Sequence, residues 1–382
     1  MVSPTPDART NAGRAGRPGS LLDLLDPRSN SLNAIRLVLA SSVIVSHAPM
    51  IVSGDDPYAI ADLDVGGWAV AGFFVVSGWL IASSRMSTDF APFMWRRLIR
   101  IMPAFWVALL ITAAVFAPMT WLSDEGERSP VSALTYVVKN AGLWIFQPTI
   151  DGTLIGNPVS TWNESLWTLS WEMLCYLGIA LVFFWGTART RPWPVLLLWG
   201  AATAATVVIR ETDWVSISTG SAVGQGARLG SYFLAGAALR MMAHRVPGRA
   251  TLAAACVVAL AVMAWFGVAG ALIGAPMAYL SIYLGAVLPL RGVARTNDIS
   301  YGIYIYGFPV GQLLAFYAGG LGVVQSITLN VLLVIPLAWM SWLWVESPAM
   351  RLKSLVPSRR GPAPAAARAQ PESPSRHVSR EE

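Results

Sequence analysis

Charged residues are scarce in this chain. Only 13% of its 382 residues are Asp, Glu, Lys or Arg, whereas 55% are hydrophobic; a soluble domain carries about 25% charged residues. This scarcity excludes an ordinary soluble protein and indicates a polytopic membrane protein that has the lipid bilayer as its partner. The net charge of +6 does not predict nucleic-acid binding, because the basic residues stand singly between apolar segments rather than in one cluster.

Cysteine and histidine are also rare. The two cysteines, Cys175 and Cys256, both lie in apolar stretches, so no disulfide framework is expected. The three histidines are His47, His244 and His377, and no two of them have the spacing of metal ligands. We therefore expect neither a metal site nor a permanently bound cofactor.

Long apolar runs make up most of the remainder. Ten segments are long enough to cross a bilayer as helices: 32–50, 66–84, 99–118, 165–186, 193–210, 226–243, 250–268, 271–290, 299–318 and 323–346. The sequence predicts an all-α membrane domain of about ten transmembrane helices over residues 31–353. It lies between a disordered cytoplasmic arm, residues 1–30, and a disordered cytoplasmic tail, residues 354–382, both of polar composition.

An eleventh apolar segment, residues 131–147, is shorter and contains Lys139, Asn140 and Gln147. Loop charges decide whether it crosses. With ten crossings and a cytoplasmic N-terminus, nearly all loop Arg and Lys residues face the cytoplasm, whereas an eleventh crossing would turn the later basic loops outward. The positive-inside rule therefore favours ten crossings with both termini cytoplasmic. Residues 119–164 then form an outer loop containing a short re-entrant or interfacial helix.

The first apolar segment carries two costly side chains, Arg36 and His47. At about 100° per residue they lie on nearly the same helical face, roughly 16 Å apart along the axis. Such side chains are tolerated inside a membrane where they face protein or water. Arg36 can alternatively extend to the cytoplasmic surface, and His47 can be an interfacial polar residue. An imidazole can also take up and return a proton near neutral pH.

A cluster of three arginines, Arg96, Arg97 and Arg100, lies at the inner mouth of the third segment. Arg97 and Arg100 are three positions apart and therefore neighbours on one helical face. Paired guanidinium groups suit a phosphate-rich ligand, because each presents a planar fork of donors. The arginines can instead serve only to set the orientation of the helix in the membrane, or they can bind anionic lipid head groups. Charge alone excludes neither alternative.

The fourth segment opens with aromatic and hydroxyl side chains around an acid, Glu172, about two turns inside the helix. An acid at this depth is expected to be paired or functional. A structural ion pair with Arg36, Arg210 or Arg228 is one interpretation. The other is a polar, aromatic-lined entry to a site, formed with Ser165, Trp167, Thr168, Ser170 and Tyr176.

Two further stretches give weaker signals. Gly72, Ser77 and Gly78 form a smooth face, which favours close packing of helices over a direct chemical role. A tyrosine-rich stretch can either line a cavity or mark the membrane interface; its members are Tyr301, Tyr304 and Tyr306. No P-loop, nucleophile elbow, zinc-protease motif or dinucleotide fingerprint occurs in the sequence.

Six motifs in this order resemble those of the acyltransferase-3 family of integral membrane acyltransferases. The family's first-helix pattern, Arg followed after ten residues by His, is matched by Arg36 and His47. The other matches cover the remainder of residues 31–353: Phe73, Phe74, Ser77 and Gly78; Arg97, Arg100, Ile101 and Pro103; Trp167, Thr168, Leu169, Ser170, Glu172 and Tyr176; Ile299, Ser300, Tyr301, Tyr304 and Pro309; Glu346 and Pro348.

The sequence departs from the family pattern at two positions. Gly307 stands where the family commonly has a histidine, so no role of that histidine transfers to this chain. Thr168 replaces a usual serine and keeps the hydroxyl group. Some family members carry an additional extracytoplasmic esterase-like domain; the short polar segment after Lys353 indicates the stand-alone form.

The resemblance implies an O-acyltransferase of the bacterial plasma membrane that moves an acyl group, usually acetyl, from cytoplasmic acyl-CoA to a hydroxyl. The expected acceptor is a cell-surface glycan or related molecule, and small natural products are an alternative. Arg96, Arg97 and Arg100 are then expected to bind the donor phosphates, and Arg36 to line the donor's path or orient its thioester.

His47 is expected to act as the general base for the acceptor hydroxyl or as a transient acyl carrier, and Glu172 to orient His47 or pair with Arg36. Substrate-binding residues are expected among the aromatic and hydroxyl side chains of the two later motifs: Trp167, Ser170, Tyr176, Tyr301 and Tyr304. Ten crossings with internal charges also fit a transporter or flippase for a glycan or lipid intermediate, so that alternative stays open, as does a family member that has lost catalysis.

Overall fold

The structure is a computed structural model that describes residues 19–123, 127–211 and 222–358. These residues are mostly helical. The helices of the first half are α1 (Leu21–Leu24), α2 (Leu32–Ser53), α3 (Val65–Ser87), α4 (Phe90–Ile111), α5 (Ala117–Ser123), α6 (Pro130–Asn140), α7 (Trp167–Val182) and α8 (Gly186–Thr190). A π-helical turn, Thr112–Phe116, joins α4 to α5, and a two-stranded antiparallel hairpin, β1 (Ala59–Ile60) and β2 (Leu63–Asp64), precedes α3.

The second half continues in the same way. Its helices are α9 (Trp193–Glu211), α10 (Ala222–Met242), α11 (Ala250–Trp265), α12 (Ala269–Leu272), α13 (Gly274–Val287), α14 (Ser300–Tyr317), α15 (Val323–Ser341) and α16 (Ser347–Arg351). A π-helical turn, Trp342–Glu346, joins α15 to α16, and a 3₁₀ turn, Leu352–Leu355, follows. Each of the ten predicted segments overlaps at least one of these helices.

Five continuous helical segments of the described residues have the length and apolar composition needed to cross a membrane: Leu32–Ser53, Val65–Ser87, Phe90–Leu122, Trp193–Arg210 and Val323–Leu355. Three shorter apolar helices, α7, α11 and α13, have 16, 16 and 14 residues. The prediction of a helical, multi-pass membrane protein is confirmed. Ten crossings remain a prediction, because α7, α10, α11, α13 and α14 do not meet the same length and composition criterion.

Contacts between helix ends show an alternating arrangement. At one end of the bundle, Ser31 before α2 donates to the carbonyls of Gly285 and Leu288, where α13 ends. Asp298 before α14 also lies at this end, beside the first turns of α2. At the opposite end, Asp62 before α3 accepts hydrogen bonds from Arg210 near the end of α9 and from the amide of Ala269 after α11. Consecutive long helices therefore run in opposite directions.

The central helix is α14, in which every residue from Ser300 to Gln312 is buried. It packs chiefly against α2 and α15. A helix that is apolar on all sides is expected in a position surrounded by other helices. Because α2 carries Arg36 and His47, this packing places both residues of the first motif against the tyrosine-rich helix.

The segment between α5 and α7 contains one helix, α6, which is too short to cross the bilayer. Helix α6 has 11 residues, about 16 Å, roughly half of an apolar membrane core. Its Ser132 and Tyr136 face the protein, whereas Val131, Leu134 and Val138 are exposed. A short helix with one exposed apolar face fits the predicted interfacial or re-entrant element.

Residues 19–30 correct the predicted N-terminal arm. Ser20 caps α1, and Leu21 and Leu25 are buried. The amide of Leu21 donates to the carbonyl of Val246, which attaches this segment to the end of α10. The apolar side chains of α1 thus order a stretch that its composition predicted to be disordered. Residues 1–18 and 359–382, the remainder of the predicted arm and most of the predicted tail, lie outside the described residues.

Helices α3 and α10 pack closely through two glycines, which confirms the interpretation of Gly78 as a packing residue. A Cβ atom at Gly78 would lie 1.9 Å from the carbonyl oxygen of Phe233, and one at Gly236 would lie 1.9 Å from that of Val75. Each helix backbone therefore occupies the space that a side chain on the other would need. This close contact fixes the position of the motif that contains Ser77.

Gly236→Ala is expected to destabilise the protein by about 1–3 kcal/mol, because the new methyl group forces the two backbones apart. Gly230→Ala on the same helix is the matched control, since no atom lies within 4 Å of a Cβ atom there. Thermal unfolding of the detergent-purified variants measures the difference. Equal melting temperatures for the two variants would contradict the close packing of α3 against α10.

Candidate active site

Three adjoining cavities run through the described helices and bring most of the predicted site residues together. The His47 cavity is bordered by His47, Asp64, Trp167, Thr168 and Tyr304, among others. The Glu172 cavity shares Thr168 and Tyr304 with it and adds Arg36, Ser77, Glu172 and Tyr301. The Arg97 cavity shares the last four residues and adds Arg97, Arg100 and Tyr176. The cavities therefore form a continuous series from the arginine cluster to His47.

His47 lies near the end of α2, where its imidazole packs edge-on against the ring of Phe308, with 5.1 Å between ring centroids. Within the described part of the chain, no hydrogen bond involves its side chain. The carboxylate of Asp64 borders the same cavity and accepts hydrogen bonds from Ser46 Oγ at 2.9 Å and from the amide of Gly67 at 3.0 Å. The imidazole is thus held by packing, and a substrate group can reach it from the cavity.

The Glu172 carboxylate has hydroxyl partners. It accepts a hydrogen bond from Ser77 Oγ at 3.0 Å and a short one from the hydroxyl of Tyr176, one helical turn further along α7. Among the described residues, neither Arg36 nor His47 donates a hydrogen bond to it. Glu172 shares its cavity with Arg36, and the roles predicted for Glu172 stay predictions.

The three arginines considered as ion-pair partners of Glu172 bind elsewhere. Arg36 pairs with Asp298, Arg210 pairs with Asp62, and Arg228 donates to the side chain of Gln225. The first two pairs join residues 262 and 148 positions apart, so helix packing rather than local spacing selects these partners.

Asp298 is a site residue that sequence reasoning missed. Its carboxylate binds Arg36 at 2.6 Å and Arg100 at 2.8 Å, and Arg100 also binds Glu346 at 3.2 Å. The resulting network contains two guanidinium groups and two carboxylates. The available signal was a single acid directly before the Ile-Ser-Tyr motif, but its partners are more than 190 positions away.

The electrostatics of Asp298 follow from this arrangement. Burial alone would raise the pKa of its carboxyl group. The guanidinium groups of Arg36 and Arg100, together with the hydroxyl and amide of Ser300, outweigh burial and lower the pKa to about 2. Asp298 therefore carries a negative charge that holds α2 and α4 together at the start of α14. Because Arg100 is bound to two carboxylates, it has less capacity for a further anion than its sequence position implied.

Arg97 has a different environment. Its guanidinium group lies over the rings of Phe93 and Tyr176, at 5.6 Å and 5.9 Å from their centroids, and donates to Ser84 Oγ at 3.2 Å. In the described residues no carboxylate forms a salt bridge with it. Arg97 is therefore the arginine of the cluster that combines a cavity position with a positive charge not neutralised by a salt bridge.

Two predicted residues do not border these three cavities. Arg96 is half-buried on α4 beside Arg97, outside the linings of the His47, Glu172 and Arg97 cavities. Ser170 is buried in α7 and donates to the carbonyl of Trp167 at 2.7 Å. Their predicted roles in donor and acceptor binding are not supported by a cavity position and stay predictions.

A hydroxyl pair separates the His47 cavity from the Glu172 cavity. The oxygens of Thr168 and Tyr304 are 2.5 Å apart, and both hydroxyls also lie within hydrogen-bond distance of the carbonyl of Ser165, at 3.1 Å and 3.0 Å. These two residues border both cavities. Val70 borders both cavities as well, so these three side chains lie where the two cavities adjoin.

The glycine that replaces the family histidine lies against α2. A Cβ atom at Gly307 would come within 2.8 Å of Ile44 Cγ1, so a histidine would require Ile44 or its helix to move. The carbonyl of Gly307 accepts a hydrogen bond from Asn330 Nδ2 at 2.9 Å. Asn330 was not singled out in the sequence; an amide inside the 19-residue apolar helix α15 was the available signal.

The fold and the site define a class of protein, a multi-pass membrane protein whose internal cavities carry ionisable and hydroxyl side chains. The model of the acyltransferase-3 family, described as "Acyltransferase domain", matches residues 29–345. Because this match covers most of the chain, the protein belongs to that family and is an acyltransferase for groups other than aminoacyl groups.

Two curated relatives resemble the chain over nearly their whole length. An "O-acetyl transferase" of Shigella phage Sf6 is 28% identical over 329 residues, 84% of this chain and 95% of the relative. "Nodulation protein 10" of Rhizobium leguminosarum bv. viciae is 26% identical over 359 residues, 87% of this chain and 96% of the relative. No solved structure gives a significant match. The family identifies the activity as acyl transfer.

Proposed function

We propose that the protein transfers an acetyl group from acetyl-CoA on the cytoplasmic side to a hydroxyl group of a cell-surface glycan. The observation that carries this proposal is the series of three cavities from Arg97 to His47. The name of the phage relative supports acetyl as the acyl group. The glycan acceptor rests on the family resemblance alone.

The proposed membrane arrangement has ten crossings in a bacterial plasma membrane, with both termini in the cytoplasm. Two independent observations support it. The long helices alternate in direction, and the loops that contain most of the Arg and Lys residues follow one end of the bundle. In this orientation Arg97 lies toward the cytoplasm, where acyl-CoA is present, and His47 lies toward the opposite face.

The proposed reaction is a direct transfer. His47 accepts the proton of the acceptor hydroxyl while its oxygen attacks the thioester carbonyl. A carbon–oxygen bond forms, the carbon–sulfur bond breaks, and the sulfur leaves as the CoA thiolate, which takes up a proton. The negative charge that develops on the carbonyl oxygen requires a fixed donor. Thr168 and Tyr304, which border both the His47 cavity and the Glu172 cavity, are the proposed donors.

The general experiment compares surface glycans from cells with and without the gene by mass spectrometry. A glycan heavier by one acetyl group in the expressing cells supports the proposal and identifies the acceptor. Membranes of those cells, incubated with [¹⁴C]acetyl-CoA, should transfer label to the same glycan. Movement of an unlabelled glycan without acetylation would instead support a transporter.

Arg97→Ala is expected to raise the KM for acetyl-CoA about tenfold, because a charge-assisted contact to phosphate, worth about 1.5–3 kcal/mol, is lost. Its kcat should change little if Arg97 binds donor and transition state equally. Arg351→Ala is the control, since Arg351 is exposed near the same end of the bundle. An unchanged KM in Arg97→Ala would contradict donor binding and indicate that the arginine cluster only sets the membrane orientation of the protein.

A further inference from the structure

A fourth, small cavity lies on the other side of His47. Its lining combines apolar side chains of α2 and α14 with four polar residues: His47, Ser165, Tyr304 and Asn330. Its volume of about 10 Å³ is close to the space of one water molecule. His47 thus borders two cavities, the larger one containing Asp64 and Trp167 and this small one between α2, α14 and α15.

Two polar atoms of this lining lack a partner in the described protein. Ser165 is 2% exposed and Asn330 is 4% exposed, yet neither Ser165 Oγ nor Asn330 Oδ1 has a hydrogen-bond partner in the described protein. A buried polar atom without a partner costs about 1–3 kcal/mol. Three unused polar groups therefore surround one small cavity: these two oxygens and the imidazole. That number matches the two to four partners of a typical buried water.

The positions of both residues are fixed by their other atoms. The Ser165 carbonyl accepts a hydrogen bond from the Tyr304 hydroxyl, and the Ser165 amide donates to Asn163 Oδ1 at 3.0 Å. Asn330 Nδ2 donates to the carbonyl of Gly307, which leaves its Oδ1 for a different partner. The backbone of Ser165 is thus fixed beside the cavity, and the Asn330 side chain cannot turn away without breaking its hydrogen bond to Gly307.

We infer that Ser165 and Asn330 hold one water molecule beside His47. This water donates or accepts a hydrogen bond at the ring nitrogen that does not face the acceptor hydroxyl, and so positions the imidazole. The inference rests on the proposed role of His47 as general base. A catalytic imidazole needs a partner on its second nitrogen to fix its tautomer and ring orientation. In the described residues no protein group bonds to this imidazole, so a bound water supplies what a carboxylate supplies in other enzymes. Ser165 and Asn330 are positioning residues.

Ser165→Ala gives the sharpest test. Because Ser165 Oγ has no hydrogen-bond partner in the described protein, its removal should leave the melting temperature unchanged or slightly raised. The inference predicts that the rate of [¹⁴C]acetyl transfer at saturating acetyl-CoA falls about tenfold, a part of the 10²–10⁴-fold contribution of a general base, while the KM for acetyl-CoA is unchanged. A wild-type rate in a normally folded Ser165→Ala protein would overturn the inference.

Asn330→Leu and the double variant complete the test. If both side chains hold the same water, the double variant should be no slower than the slower single variant, because losing either partner releases the water. Multiplicative effects on the rate would show independent roles and overturn the inference. Ser326→Ala is the matched control, since Ser326 is buried on the same helix as Asn330 but borders none of the four cavities.

The wild-type protein separates failure of the inference from failure of the proposed function. If wild-type membranes transfer no label from [¹⁴C]acetyl-CoA, the proposed function fails and the inference fails with it. If the wild type transfers label and His47→Ala does not, the requirement for His47 stands. In that case Ser165→Ala and Asn330→Leu decide the water site by themselves.

Discussion

His47→Ala is expected to reduce acetyl transfer by about 10²–10⁴-fold, the usual contribution of a general base. The imidazole borders the His47 cavity and, among the described residues, has no hydrogen-bond partner, so its nitrogens are available to a substrate hydroxyl and to a bound water. Label transfer from [¹⁴C]acetyl-CoA to the glycan measures the effect. The amount and melting temperature of the purified protein should stay close to wild type, because the imidazole contributes packing against Phe308 and no hydrogen bond within the protein.

His244→Ala is the matched control for this prediction. His244 is exposed in the turn after α10 and borders none of the four cavities. The His244→Ala variant should retain the wild-type rate of acetyl transfer. A His47→Ala protein that acetylates the glycan at the rate of His244→Ala would remove His47 from the catalytic mechanism. A covalent acyl-enzyme on His47 would be trapped as label on the protein before acceptor is added, which distinguishes the acyl carrier from the general base.

Asp298→Ala is expected to have the largest effect on stability, about 3–5 kcal/mol. This is the usual cost of removing one partner from a buried ion pair. The substitution leaves two guanidinium groups, 23% and 18% exposed, facing each other at the start of α14. Asp56→Ala, at an exposed aspartate without a salt bridge in the described residues, should be neutral. Thermal unfolding in detergent compares the two, and equal melting temperatures would contradict the network.

The pH dependence of the stabilisation by Asp298 tests the same prediction in a second way. Because the folded pKa is lowered to about 2 from a model-compound value of 3.8, the charged form stabilises the fold above pH 4. This contribution is lost as the pH falls from about 4 to about 2. The difference in melting temperature between wild type and Asp298→Asn should therefore be largest above pH 4 and shrink toward pH 2. A difference independent of pH would show that the charge does not contribute.

Asp298 also illustrates why part of the site could not be predicted. Arg36 and Arg100 were recognised in the sequence, but their common carboxylate is separated from them by 262 and 198 positions. Spacing rules connect residues of one helix and contain no information about which helices are neighbours. Glu172 shows the same limit: three arginines were reasonable partners, and the structure pairs it with Ser77 and Tyr176 instead.

The sequence alone determined the class of the protein and the elements of the site. Apolar runs locate helices reliably, because a bilayer or a buried core leaves backbone polar groups no other partner. The motif of Arg36 and His47, the arginine cluster around Arg97, and the packing role of Gly78 follow from local patterns of this kind. The amphipathic helix α6 was also recognised by its length and composition.

Only the tertiary structure decided which of these residues meet. It brought Asp298 to Arg36 and Arg100, placed Thr168 and Tyr304 between two cavities, and aligned Ser165 and Asn330 beside His47. These contacts join four or more helices, and their energies depend on distances of a few ångströms between side chains far apart in the chain. Helical periodicity fixes the face on which a residue lies, whereas packing against other helices fixes what that face contacts.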